Sequence, residues 1–212
     1  MITPCRLFVI PARDAPIAII LRRGPSKWYH IIRWFTDSDH FEQGAWFHGR
    51  IYEERCDISP DGNLFVYFCH GGAYRPGYTD SWTAVSRVPW LYALSLWPWG
   101  QTMGGGGRFV GNRRLILHSK VPCSTHPDHP ATGLDIALSQ TECAEYHQST
   151  CEVEEADWSG HDHRGNLIIC RVGKLFRRCP SGQDLEIADF NTLRPSPEEA
   201  PDWAKEPLTV LP

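Results

Sequence analysis

A chain of 212 residues with 42% hydrophobic and 22% charged residues is long enough for one domain with a sizeable core, which excludes a disordered polymer. Its formal charge of −4, with acids and bases interspersed and no basic stripe, excludes a general nucleic-acid footprint. No apolar run approaches the roughly 20 residues that span a bilayer. Met1-Ile2-Thr3-Pro4-Cys5-Arg6 lacks a basic region leading into an apolar one, so the expected location is cytoplasmic, away from membranes.

The strand signals come in chain order at Arg6-Leu7-Phe8-Val9-Ile10, Ile17-Ala18-Ile19-Ile20-Leu21, Asn63-Leu64-Phe65-Val66-Tyr67-Phe68-Cys69, Arg114-Leu115-Ile116-Leu117 and Asn166-Leu167-Ile168-Ile169-Cys170. Each is short and rich in β-branched or aromatic residues, and most are bounded by Gly, Pro, Asp or Asn. The best helical candidate is Leu134 to Tyr146. Cys69 and Cys170 sit inside apolar runs and are expected as small core residues. The eight cysteines together are expected as thiols in a reducing compartment.

Self-similarity organises these strands. Asp57-Ile58-Ser59-Pro60-Asp61-Gly62-Asn63-Leu64 parallels Asp157-Trp158-Ser159 followed, after Gly160-His161-Asp162-His163, by Arg164-Gly165-Asn166-Leu167. Gly111-Asn112-Arg113-Arg114-Leu115 and Arg13-Asp14-Ala15-Pro16-Ile17 are fainter copies. The apolar strands start at Ile17, Leu64, Leu115 and Leu167, in steps of 47, 51 and 52 residues. A period of about 50 residues suits one four-stranded blade, which buries its faces only by stacking on others. The expected fold is all-β, a small β-propeller-like domain of four blades over residues 1–212, with 193–212 as an extended tail anchored by Trp203. A β-sandwich is the alternative.

The stretch Ser59-Pro60-Asp61-Gly62-Asn63-Leu64 resembles the Ser-Pro-Asp-Gly turn of TolB-like (WD40-like) propeller repeats, and Gly165-Asn166-Leu167 with Gly173-Lys174-Leu175-Phe176 resembles the same repeat continued into its next hairpin. The resemblance covers two of the four repeats. It implies a propeller and no particular activity, since such folds host binding, scaffolding and catalysis alike.

Four segments carry candidate chemistry. Arg22 to Arg55 is dense in aromatic and basic residues, and Lys27, Trp28, Arg33, Trp46 and Arg50 are the expected ligand-binding set, suited to a planar or anionic partner. The competing reading makes Trp28, Trp34 and Trp46 fillers between blades. Gly104 to Gly107 reads as a connection where backbone passes close to other groups, with a mobile lid as the second reading. Cys123, His126 and His129 are a candidate zinc set, with Cys143, His147, Cys151, His161 and His163 beyond them. Otherwise no cofactor is expected. Glu152 and Glu154 share a face if their segment is a strand. Asp57 and Asp157, taken as equivalent repeat positions, are candidates for a hydrolase-type site in a central channel or for turn-holding side chains.

No nucleophile elbow or His-Glu-x-x-His motif is present. The sequence therefore points first to a non-enzymatic binding module, with a protein as the expected partner and the ligand on one face. A channel enzyme and a zinc-stapled scaffold stand behind it.

Overall fold

The computed structural model describes residues 3–71, 77–119, 123–139 and 153–209. Sheet 1 is a meander of β1 (Arg6–Pro11), β2 (Ile17–Arg23), β3 (Trp28–Phe35) and β4 (His40–His48). Sheet 2 contains β5 (Arg50–Ile51) and β6 (Asp57–Ile58), which share one edge of β7 (Leu64–His70), followed by β8 (Ser81–Arg87) and β9 (Ser95–Pro98). Sheet 3 has β10 (Gly107–Phe109), β11 (Arg114–His118) and β12 (Asp135–Ser139). Sheet 4 is a second meander of β13 (Trp158–His161), β14 (Leu167–Arg171), β15 (Lys174–Arg178) and β16 (Asp184–Asp189). Among the described residues all pairings are antiparallel except that of β11 with β12. The fold is all-β with four sheets, as the strand signals require.

The repeat locates the same strand in every sheet. Ile17, Leu64 and Leu167 open β2, β7 and β14, and Leu115 is the second residue of β11. Each of these strands has antiparallel partners or one antiparallel and one parallel partner on its two sides, so it sits inside its sheet and its side chains can be apolar throughout.

Alternation then decides how the sheets stack. In β2, Ile19 and Leu21 meet Ile58, Phe65, Tyr67 and Cys69 of sheet 2, while Ala18 and Ile20 meet Trp158, Ile168 and Cys170 of sheet 4. In β7, Phe65 and Tyr67 face sheet 1, while Leu64 and Val66 join Phe109, Leu115 and Leu117 of sheet 3. Sheets 4, 1, 2 and 3 thus stack in that order, and sheets 1 and 2 are buried on both faces. That double burial is the physical reason their central strands read as unbroken apolar runs. Cys69 and Cys170 are wholly buried, and Trp34 fills the seam between sheets 1 and 4.

The turn before β7 is held by its own side chains. Ser59 Oγ donates to Asp61 Oδ1 at 2.5 Å and accepts from the Leu64 amide at 2.9 Å. Asn63 Nδ2 donates to Asp61 Oδ2, and Gly62 takes a φ of 77°. In the fourth repeat Asp162 does the same work alone, accepting from the amides of Arg164 and Asn166 and from Asn166 Nδ2. The apparent insertion is therefore a longer strand: Gly160 and His161 belong to β13, and Asp162 opens the turn.

Three expectations are corrected. The described part of the Leu134–Tyr146 helical candidate holds strand β12, and residues 140–146 lie outside the described residues. Glu154 and Glu155 lie in a turn before β13 rather than on a strand, and Glu152 is outside the described residues. The C-terminal segment is not anchored by Trp203. It carries a short helix α1 (Asp202–Lys205), whose Trp203 is 45% exposed, and it is anchored instead by Ala204 and by Leu208, which enters the core between sheets 2 and 3. No helix among the described residues is long and apolar enough to cross a membrane.

Candidate functional site

A hollow of about 720 Å³ opens at the seam of sheets 1 and 2, lined among others by Arg6, Arg23, Lys27, His48, Arg50 and His70. Hairpin register builds it. The β1–β2 pairing places Arg6 directly opposite Arg23, and the β2–β3 pairing places Arg23 opposite Tyr29. Directly paired residues point to the same face, so this row projects toward sheet 2, continuing through Tyr29 to Phe47 on β4. Past the end of β4, β5 brings Arg50 and the end of β7 brings His70 into the same hollow.

Its cations divide into two kinds. Arg50 is committed: Nη1 donates to the Tyr29 hydroxyl at 2.9 Å and Nη2 pairs with Glu53 at 3.1 Å. Tyr29 in turn donates to Glu53 at 2.8 Å, and burial followed by the Glu53 carboxylate pushes its phenol above the ordinary range, so it stays a neutral donor. Arg6, Arg23 and Lys27 form no ion pair or side-chain hydrogen bond among the described residues; Arg23 only lies 5.9 Å over the Tyr29 ring. Arg6 and Arg23 also line a smaller hollow with Glu53, Glu54 and Asp157, none of which forms an ion pair with either guanidinium. Two like charges opposite each other on paired strands cost about 0.2–1 kcal/mol.

The expected ligand-binding set is split by alternation. Lys27 and Arg50 line the hollow. Trp46 sits opposite His30, on the face of sheet 1 away from Tyr29, and stacks on that imidazole at 4.1 Å. Trp28 belongs with it, 6.3 Å from Trp46 and 4.9 Å from His48. Arg33 lies toward the other end of β3, bonded to Glu42 and to the Val88 carbonyl. Arg6, Arg23, His48 and His70 are among the lining residues outside the expected set. Arg6 was discoverable by folding the first two apolar runs into a hairpin, which sets it against Arg23.

The zinc set is not brought together. Among the described residues no group of three or more His, Cys, Asp and Glu side chains is gathered to hold a metal ion. His126 stacks on Tyr78 at 4.1 Å, the Tyr78 hydroxyl meets His129 Nε2 at 3.1 Å, and Leu96 of β9 exchanges backbone bonds with both histidines. This loop packs on sheet 2, with His129 on the wall of an aromatic hollow of about 340 Å³. Cys123 instead packs at the margin of the core between sheets 2 and 3. Cys143, His147 and Cys151 lie outside the described residues. His163 meets Thr36 and Asp37.

Asp57 and Asp157 are not equivalent. Asp57 lies opposite Val66, two residues into β7, whereas the matching position opposite Ile169 is Ser159. Asp57, 2% exposed, accepts from the Phe109 amide of sheet 3 at 2.8 Å and pairs with Arg13 of the β1–β2 turn, so it ties three sheets together. Asp157 accepts from the Val172 amide in the β14–β15 turn of its own sheet. Both have structural duties. The glycine run is likewise a close-packing device: a Cβ on Gly105 would stand 2.5 Å from the Phe68 ring, and one on Gly106 would stand 2.4 Å from the Arg55 carbonyl.

Comparison with known protein families, curated proteins and solved structures returned no match. The likeness to TolB-like repeats therefore rests on the turn residues alone.

Proposed function

We propose that the chain is a non-enzymatic binding module, built as a small four-bladed propeller, that takes an anionic ligand in the hollow between sheets 1 and 2. The propeller reading is supported by the order of packing, sheets 4, 1, 2 and 3, by the matching strand in each repeat, and by contacts of β1 with β13 and β14, of β1 with β6, and of β10 with β6 and β7. One observation carries the binding reading: Arg6, Arg23 and Lys27 line a cavity of ligand size, and among the described residues none of the three forms an ion pair. Local sequence choices that oppose folding mark functional positions, because nothing in the fold rewards them. The partner is thus recognised by negative charge, where the sequence alone favoured an unspecified protein surface.

Thermal unfolding in the presence of citrate and of tripolyphosphate tests this. A ligand at 100 times its Kd stabilises the folded state by about 2.7 kcal/mol, which moves Tm by several degrees. The expected result is a rise in Tm that Lys27→Gln removes. A Tm that neither polyanion moves overturns the reading.

A further inference from the structure

The pairing of Arg6 with Arg23 says more about the ligand than its sign. A planar carboxylate offers two oxygens and is satisfied by one guanidinium fork. Two forks on directly opposed residues, with Lys27 on the same hollow, offer more donors and more charge than one carboxylate uses. A phosphate group has three terminal oxygens on a tetrahedral phosphorus and carries about −1.5 to −2 charges at neutral pH, which suits two forks and an ammonium together. Arg50 and Glu53 pair with one another, whereas Arg6, Arg23 and Lys27 form no ion pair among the described residues, so theirs are the guanidinium and ammonium groups left to a ligand. The recess between two sheets, about 720 Å³, holds a small molecule, whereas a nucleic-acid backbone wants a stripe of cations along an open surface.

We propose that the hollow binds a small soluble molecule bearing a phosphate or diphosphate group, with the Arg6 and Arg23 guanidinium groups forked onto its oxygens and Lys27 supplying further charge. This rests on the reading of the hollow as an anion site and narrows it to one chemical class. Arg6 and Arg23 are both exposed at strand ends, so either can be changed without opening the core.

The test is isothermal titration of the full chain at low salt with inorganic pyrophosphate, with tricarballylate as a tricarboxylate of similar charge, and with phosphatidic acid vesicles. Pyrophosphate is expected to bind at least about tenfold tighter than tricarballylate. Arg23→Gln and Arg6→Gln are each expected to weaken pyrophosphate by about tenfold or more, with unchanged thermal unfolding of the free protein. Equal affinity for the two anions, with both weakened by Arg23→Gln, overturns the phosphate assignment and leaves the anion site standing. Binding of vesicles without binding of soluble pyrophosphate overturns the small-molecule assignment. No binding of any probe, or pyrophosphate binding that neither Arg variant alters, overturns the anion site itself.

Discussion

At the seam between sheets 1 and 4, Arg177 grips Asp39 with both arms at 2.8 and 2.9 Å, donates to the Thr36 carbonyl and lies over Trp34, while Arg164 pairs with Asp37 at 2.9 Å. Arg22 is 2% exposed there and donates to the carbonyls of Phe190, Leu193 and Gly24. At the seam between sheets 1 and 2, the next residue, Arg23, is exposed and forms no ion pair among the described residues. Adjacent arginines of one strand point to opposite faces and have opposite fates. Where a guanidinium is enclosed by acceptors it holds the fold, and where it is left with none it is available to a ligand.

Arg22 gives the largest expected effect. Arg22→Leu leaves the Phe190 and Leu193 carbonyls without their charged donor and frees the segment that follows β16 from sheet 1. Urea denaturation is expected to show a loss of about 3 kcal/mol, with earlier proteolytic cleavage after residue 190. A loss under about 1 kcal/mol would mean that the apolar contacts of Phe190 alone dock the segment. Arg177→Gln comes next, at about 2 kcal/mol, because a bidentate pair and a bond to the Thr36 carbonyl go together. A double-mutant cycle with Asp39→Asn is expected to return a coupling of about 1–2 kcal/mol.

How much of this contrast the sequence displayed depends on the distance over which each feature is encoded. The central strands β2, β7, β11 and β14 were legible because four apolar runs recur about every 50 residues, and the turns before β7 and β14 carry Ser59, Asp61 and Gly62 or Asp162 and Gly165. Burial of Cys69 and Cys170 followed from the same runs. The partition of the aromatic and basic stretch was not legible, because facing changes with every residue: Trp46 and Phe47 are neighbours, yet one stacks on His30 and the other joins the core toward sheet 2. A register shift between His30 and Ile32 removes even the simple count along β3 and β4. The parallel strand β12 was hidden for another reason, since its partner β11 is reached only after a connection of Pro, His and Thr residues that reads as loop.

His30 sharpens the comparison through pH. It lies in the Arg22 row, 2% exposed, and burial followed by the nearby Arg22 charge lowers its pKa from 6.5 to about 4. The unfolded chain takes up this proton below about pH 6.5 and the folded chain only near pH 4, so stability falls as pH drops between them. Relative to His30→Phe, the native chain is expected to lose up to about 1.4 kcal/mol per pH unit across that window, and nothing more above it. Parallel urea midpoints for the two proteins from pH 8 down to 4 check this. A difference that stays flat would place a proton-accepting partner at the ring.

The smallest stability effect belongs to Arg23, and its smallness is what separates the two seams. Arg23→Gln removes one of two opposed like charges and breaks no ion pair, while the weak contact with the Tyr29 ring is largely offset by solvent at so exposed a site. The free protein is expected to keep its stability within about 0.5 kcal/mol or gain slightly, most visibly at low salt, where repulsion between Arg6 and Arg23 is least screened. Adding pyrophosphate should reverse the ranking, because the native chain gains stability from the ligand and the variant gains little. If Arg23→Gln instead destabilises the free protein as much as Arg177→Gln does, Arg23 is a structural arginine like its neighbour, and the distinction between the two faces of sheet 1 falls.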